Sequence, residues 1–140
     1  EVLQKISAAK GKVIDGHAPG LAGKELNAYL SAGILSDHES TTREEAREKL
    51  RRGMYLMIRE GSSEKNLDAL LPLVTDSTYK RCFFVVDDRS CSDLLQEGDI
   101  DAVVRKAIDR GLDPVRAIQM ASYRRKRRKA RSSTCRSRRR

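Results

Sequence analysis

Met54-Tyr55-Leu56-Met57-Ile58-Arg59-Glu60 is a run of five apolar residues that stops abruptly on a charged pair. A short apolar run of this length reads as a buried strand, and the charged pair marks where its end reaches solvent. The same punctuation occurs three more times. Val13-Ile14 leads into Asp15-Gly16-His17, Ile34-Leu35 into Ser36-Asp37-His38-Glu39, and Cys82-Phe83-Phe84-Val85-Val86 into Asp87-Asp88. Strands that deliver charged residues at their carboxyl ends are how a βα-barrel builds a site. Both histidines of the chain lie at such ends.

Helical patterns fill the gaps. Val2, Leu3 and Ile6 lead towards Gly11, and Ala22, Leu26 and Leu30 share a face before Gly33. Thr42 and Glu45 have the spacing of a capping box, with Glu45–Lys49 and Glu48–Arg52 one turn apart before Gly53. A further helix is expected from about Glu64 through Leu67, Leu70 and Leu71. Ile100, Val103, Val104, Ala107 and Ile108 make a stripe ending at Gly111, and Asp113-Pro114 opens a last short helix. The alternation predicts an α/β fold of about four parallel strands joined by right-handed βαβ crossovers. A complete (β/α)8 barrel takes about 250 residues, so the 140 residues here predict an open domain or part of a barrel.

Charge divides the chain in two. The net charge of +9 comes from 29 Lys and Arg against 20 Asp and Glu, and Arg124–Arg140 alone holds 11 of the basic residues and no acid. Residues 1–123 are thus mildly acidic overall and read as one domain. Residues 124–140 read as a disordered, low-complexity basic tail, which either has no selected function or binds nucleic acid nonspecifically through charge. Cys82, Cys91 and Cys135 are odd in number and show no Cys-x-x-Cys spacing, which predicts neither a thiolate zinc site nor a disulfide framework and suits a reduced, cytoplasmic setting. No apolar run approaches the ~20 residues of a membrane span. The absence of Trp argues against a stacking platform for single-stranded nucleic acid.

A single histidine near a strand end is commonly a hydrogen-bonded structural residue, and Arg59-Glu60 or Asp87-Asp88 alone would pass for surface charge. On consecutive parallel strands these residues share one rim. Imidazole with carboxylate suits a divalent Mn, Fe or Zn ion, which activates water and polarises a C=N or C=O bond.

DGHAPGLAGKELNAYLSAGILSDHE (15–39), TTREEAREKLRRGMYLMIREGS (41–62), VVDDR (85–89) and DLLQEGDIDAVVRKAIDRGLDPVRAIQMAS (93–122) closely resemble the adenine deaminase family of the amidohydrolase superfamily, whose members use a binuclear metal centre. The resemblance implies the C-terminal half of a TIM-like barrel. His17 and His38 fall at the metal-binding histidines after the fifth and sixth strands. Asp87 falls at the aspartate after the eighth, which binds metal and accepts the proton of the hydrolytic water. Glu39 is implied as a second catalytic residue, and Arg59, Glu60 and Asp88 as lining the purine pocket. The implied reaction is hydrolytic attack at C6 of adenine, giving hypoxanthine and ammonia in purine salvage or adenine catabolism, with Mn2+ or Fe2+ as cofactor and Zn2+ as a third candidate.

The resemblance begins about where the fourth helix of the barrel should start, so the family's His-x-His pair and bridging Glu find no counterpart, and with His17 and His38 the only histidines nothing else in the chain can replace the pair. The expectation is therefore a chain inactive alone, whose partner is the missing N-terminal half of the barrel or a second copy. A non-catalytic purine- or metal-binding fragment, and a nucleic-acid-associated protein acting through the tail, stand as alternatives.

Overall fold

The computed structural model describes residues 1–122; the basic tail lies outside the described residues. In chain order the elements are α1 (Val2–Ala8), α2 (Gly23–Ser31), β1 (Ser36–Asp37), α3 (Arg43–Arg51), β2 (Tyr55–Arg59), α4 (Leu67–Leu70), β3 (Cys82–Val85), α5 (Cys91–Gln96), α6 (Ile100–Asp109) and α7 (Pro114–Ala121). The strands form one parallel sheet in the order β1-β2-β3. The run at residues 13–14 contributes a single parallel bridge, Ile14 to Ile34, so three strands stand where four were expected. Two apolar residues between Lys12 and Asp15 are too few to carry a ladder, and the chain turns into the site at once.

Alternation in β2 and β3 separates two faces. Leu56, Ile58, Cys82 and Phe84 point into the core, where they meet Ala46 and Leu50 of α3, Leu67 and Leu70 of α4, Val103 and Ala107 of α6, and Ala117 and Met120 of α7. The residues that alternate with them along each strand face the opposite side. There Met57 pairs with Phe83 and Arg59 with Val85, and Tyr55 packs on Phe83 with ring centroids 6.5 Å apart. That second face carries the site.

The helix signals place the caps well. The Thr42 hydroxyl accepts from the Glu45 amide, the Asp113 carboxylate accepts from the Arg116 amide at 3.0 Å with Pro114 in the first turn, and Gly33, Gly53 and Gly111 adopt positive φ just beyond their helices. The helix expected from Glu64 is only one turn of α-helix, Leu67–Leu70, followed by a 3-10 turn over Leu71–Leu73. Pro72 has no N–H to continue the ladder. Helix α5 is an addition to the sequence reading. Ser90 caps it, accepting from the Asp93 amide at 3.1 Å, a Ser-x-x-Asp spacing that marks its start.

Candidate active site

Because the strands are parallel, the residues that leave β1, β2 and β3 gather at one end of the sheet. The segment Asp15–Ala18 is fixed beside them residue by residue. The Asp15 carboxylate accepts from the Ser36 hydroxyl and the Gly16 amide. The His17 amide donates to the Tyr29 hydroxyl of α2 at 3.0 Å. The Ala18 amide donates to Asp37 Oδ1 at 2.8 Å, and its carbonyl accepts from Lys49 Nζ at 2.6 Å. With both neighbours held, the His17 ring lies against His38.

Three side chains meet there. His17 Nδ1 is 3.3 Å from His38 Nε2, and Glu39 Oε1 is 3.4 Å from the first and 3.2 Å from the second. Three lone-pair-bearing atoms facing one another at these distances call for a cation or a shared proton between them. Around a tetrahedral ion with bonds of about 2.1 Å, donors lie about 3.4 Å apart, and adjacent corners of an octahedron are about 3.0 Å apart. The trio fits that spacing, with two imidazoles and a carboxylate suited to Mn, Fe or Zn.

Arg59, at the end of β2, extends the trio to the next strand. Its nearly buried guanidinium contacts both oxygens of Glu39 and donates to Asp87 Oδ2 at 2.8 Å. Burial acts to lower the Arg59 pKa, but the hydrogen bonds and charges of Asp87 and Glu39 prevail and raise it above its usual value. Asp87, the one non-glycine residue with positive φ (55°) among the described residues, is held in this turn by the guanidinium. Asp87 was expected among the metal ligands. The structure does not bring it into the trio, because Arg59 lies between them. A cavity of about 500 Å3 beside β3, walled by Met57, Phe83 and Val85 among others, opens onto Asp87 and Asp15.

The two other rim residues are engaged elsewhere. Glu60, next to Arg59 in β2's run but facing the helices, accepts from the Leu67 amide at 3.0 Å and pairs with Lys106 at 2.8 Å. Asp88 accepts from the amide and hydroxyl of Ser63, joining two loops. Each carboxylate serves loop and helix packing in this structure.

Beneath the trio lies a buried group that the sequence reading did not single out. Asp37 and Lys49 are sealed from solvent, and Lys49 Nζ contacts Asp37 Oδ2 (2.9 Å), Ser40 Oγ (3.1 Å), Glu45 Oε1 (2.7 Å) and the Ala18 carbonyl. Burial works to raise the Asp37 pKa, but hydrogen bonds from Lys49, Ser40 and the Ala18 amide, with the Lys49 charge, bring it below the usual carboxyl value. The contribution of Asp37 to stability is therefore complete above its unfolded pKa of about 3.9 and is lost as pH falls through the lower folded value. Stability followed by circular dichroism in urea is expected to fall below about pH 4, and Asp37→Asn is expected to flatten that fall.

The family model for amidohydrolases matches residues 1–124. The chain belongs to the amidohydrolase family. It is 78% identical over 121 residues to an adenine deaminase of Dehalococcoides mccartyi strain 195, covering 86% of this chain and 21% of that protein. It is 56% identical over 122 residues to adenine deaminase 2 of Carboxydothermus hydrogenoformans and 52% over 124 residues to an adenine deaminase of Oceanobacillus iheyensis, in each case over 87% of this chain and 21% of the relative. This amidohydrolase chain thus spans about a fifth of the length of the curated relatives it matches. No helix among its described residues is long and apolar enough to cross a membrane. No local signal in the sequence of this amidohydrolase marks the buried pair: Lys49 falls on the same helical stripe as Ala46 and Leu50, but the spacing does not say that this stripe is the buried one.

Proposed function

We propose that this chain supplies part of the active site of a metal-dependent adenine deaminase, the hydrolytic conversion of adenine to hypoxanthine and ammonia. The observation that carries the proposal is the convergence of His17, His38 and Glu39 within hydrogen-bonding distance of one another. The Arg59 bridge from Glu39 to Asp87 supports it, as does the identity to proteins named adenine deaminase.

His17, His38 and Glu39 would hold a divalent ion, Mn2+ or Fe2+ before Zn2+. Such an ion makes water a nucleophile near neutral pH and polarises the amidine carbon of the purine. The remaining work falls to side chains of this chain. Arg59 holds Glu39 in place through both oxygens, which fixes where the carboxylate faces. The same guanidinium donates to Asp87 Oδ2 and holds that carboxylate at the mouth of the cavity, where it would accept the proton of the attacking water and return it to the departing amino group. Met57, Phe83 and Val85 offer the flat purine an apolar wall.

Two donors from histidine and one from Glu39 leave coordination positions open. The proposal therefore includes a partner that completes the site, the remainder of a deaminase barrel. The test mixes the full chain, loaded with Mn2+, with the portion of the Dehalococcoides relative outside the matched stretch. Ammonia release from adenine is expected from the mixture and from neither component, and His38→Ala in this chain is expected to abolish it. Turnover that survives His38→Ala overturns the proposal. Calorimetric binding of Mn2+ or adenine without turnover in the mixture would favour a non-catalytic binding fragment instead.

A further inference from the structure

We propose that Asp37 and Lys49 are positioning residues whose ion pair clamps the His17 segment against the His38 segment and so sets the spacing of the metal ligands. The inference rests on the metal reading above and extends it to residues that touch neither metal nor substrate.

The connectivity is direct. Asp37 precedes His38 and Ala18 follows His17, and the two are joined by the 2.8 Å bond from the Ala18 amide to Asp37 Oδ1. Lys49 closes the other side, reaching the Ala18 carbonyl and Asp37 Oδ2 from α3. Both backbone polar atoms of Ala18 are thus held by the two members of one ion pair. Ser40, one residue beyond Glu39, donates its amide and hydroxyl to Asp37 Oδ2, so the strand end is pinned on both sides of the His38-Glu39 pair. Glu45 adds a second brace, binding Lys49 Nζ and the Gly20 amide beyond His17.

Economy of stability does not account for such an arrangement. Lys49 has three N–H donors and four acceptors around it, and both charges have left water. A buried ion pair of this kind is commonly no more stabilising than apolar residues of the same volume, whereas it fixes registry with directional bonds. Here the registry fixed is that of His17 against His38, whose rings sit edge to face with centroids 5.3 Å apart. Groups that orient metal ligands characteristically change metal affinity 10–100-fold when removed.

The experiment uses the full chain and measures Mn2+ affinity by calorimetry and the His17–His38 ring contact by NMR. Asp37→Asn/Lys49→Met removes both charges together and so avoids stranding either one. It is expected to weaken Mn2+ binding at least tenfold and to lose the ring contact while the circular dichroism spectrum stays folded. Ser40→Ala, which keeps both charges and removes one hydroxyl from the clamp, is expected to shift both readouts in the same direction by less, and decides the matter should the double variant not fold. Arg89→Met removes a nearly buried guanidinium that bonds Glu97 and the Gly98 carbonyl away from the trio. It is expected to lower stability and leave affinity and ring contact alone. Wild-type affinity and an intact ring contact in the folded double variant overturn the inference, and so does an equal loss of affinity in Arg89→Met. A wild-type chain that binds no Mn2+ overturns the metal reading instead, and the ring contact then decides by itself whether the clamp exists.

Discussion

Replacing Lys49 with methionine alone is expected to destabilise the chain by about 3–5 kcal/mol, measured as the shift in a urea unfolding transition. Methionine fills much the same volume, so the loss is electrostatic. It leaves Asp37, fully enclosed, with no counter-charge, and an uncompensated buried carboxylate is among the most damaging single changes available to a small domain. Three other hydrogen bonds, from the Ala18 amide and from the amide and hydroxyl of Ser40, remain to Asp37 and place the loss towards the lower end of that range. Adding Asp37→Asn is expected to recover a large part of it, because the second change removes the stranded charge. The Glu48–Arg52 pair one turn along the same helix is the contrast. Both its side chains are about a third exposed, and Arg52→Ala is expected to cost less than about 1 kcal/mol. With total stabilities of about 5–15 kcal/mol for domains of this size, Lys49→Met reaches a large fraction of the whole and Arg52→Ala does not.

The same two pairs show what could be read from the sequence and what could not. Glu45–Lys49 and Glu48–Arg52 have identical spacing, and both read alike as pairs one turn apart on a helix. Only the tertiary position of α3 separates them: its Ala46–Lys49–Leu50 stripe faces the sheet and the His17 segment, while Glu48 and Arg52 lie at a part-exposed edge against Gly23 and Asn27 of α2. Local spacing cannot report which stripe a helix buries when that stripe contains a charge. The converse holds for Arg59 and Glu60. Adjacent in sequence, they were read as lining one rim, yet strand alternation sends them to opposite faces. Arg59 reaches Glu39 and Asp87, and Glu60 reaches Lys106 and the start of α4.

The fold was legible where its signals are local. Caps at Thr42 and Asp113 and the glycines at 33, 53 and 111 act within a turn of the backbone, and they stand where the sequence places them. The parallel sheet was legible from the alternation of strand and helix patterns along the chain. The first strand was not legible, because two apolar residues do not reveal whether a ladder or a single bridge forms; that depends on the Asp15–Ser36 and Ala18–Asp37 bonds, which span about twenty residues. The trio was legible in its histidines. Glu39 as a partner of both rings was not, since a residue next to a histidine in sequence need not share its direction, and it does so here because Arg59 draws its carboxylate inward.

Gly16→Ala is expected to be the most damaging methyl addition at the site, for reasons of space and not of backbone conformation. A Cβ there would sit 2.1 Å from the Ser36 carbonyl oxygen and 2.8 Å from both Ile34 Cγ2 and the Tyr29 hydroxyl. The closest of these is backbone at the start of β1, which can withdraw only if the strand slides against β2 and takes its ladder with it. The alternative is that the His17 segment lifts away from β1. That movement breaks the Ala18–Asp37 bond and separates His17 from His38. Overpacking in a closed region costs about 1–3 kcal/mol and more where backbone blocks relaxation, so a loss of about 3 kcal/mol is expected, together with Mn2+ affinity reduced at least tenfold. Gly20→Ala, four residues on, supplies the comparison. Gly20 has φ +68° but open space around its Cβ position, so its cost is limited to backbone strain of about 1 kcal/mol and the trio keeps its spacing. Equal effects from the two substitutions, in urea unfolding and in Mn2+ titration alike, would mean that the His17 segment is not seated on β1 as the Ser36 contact requires.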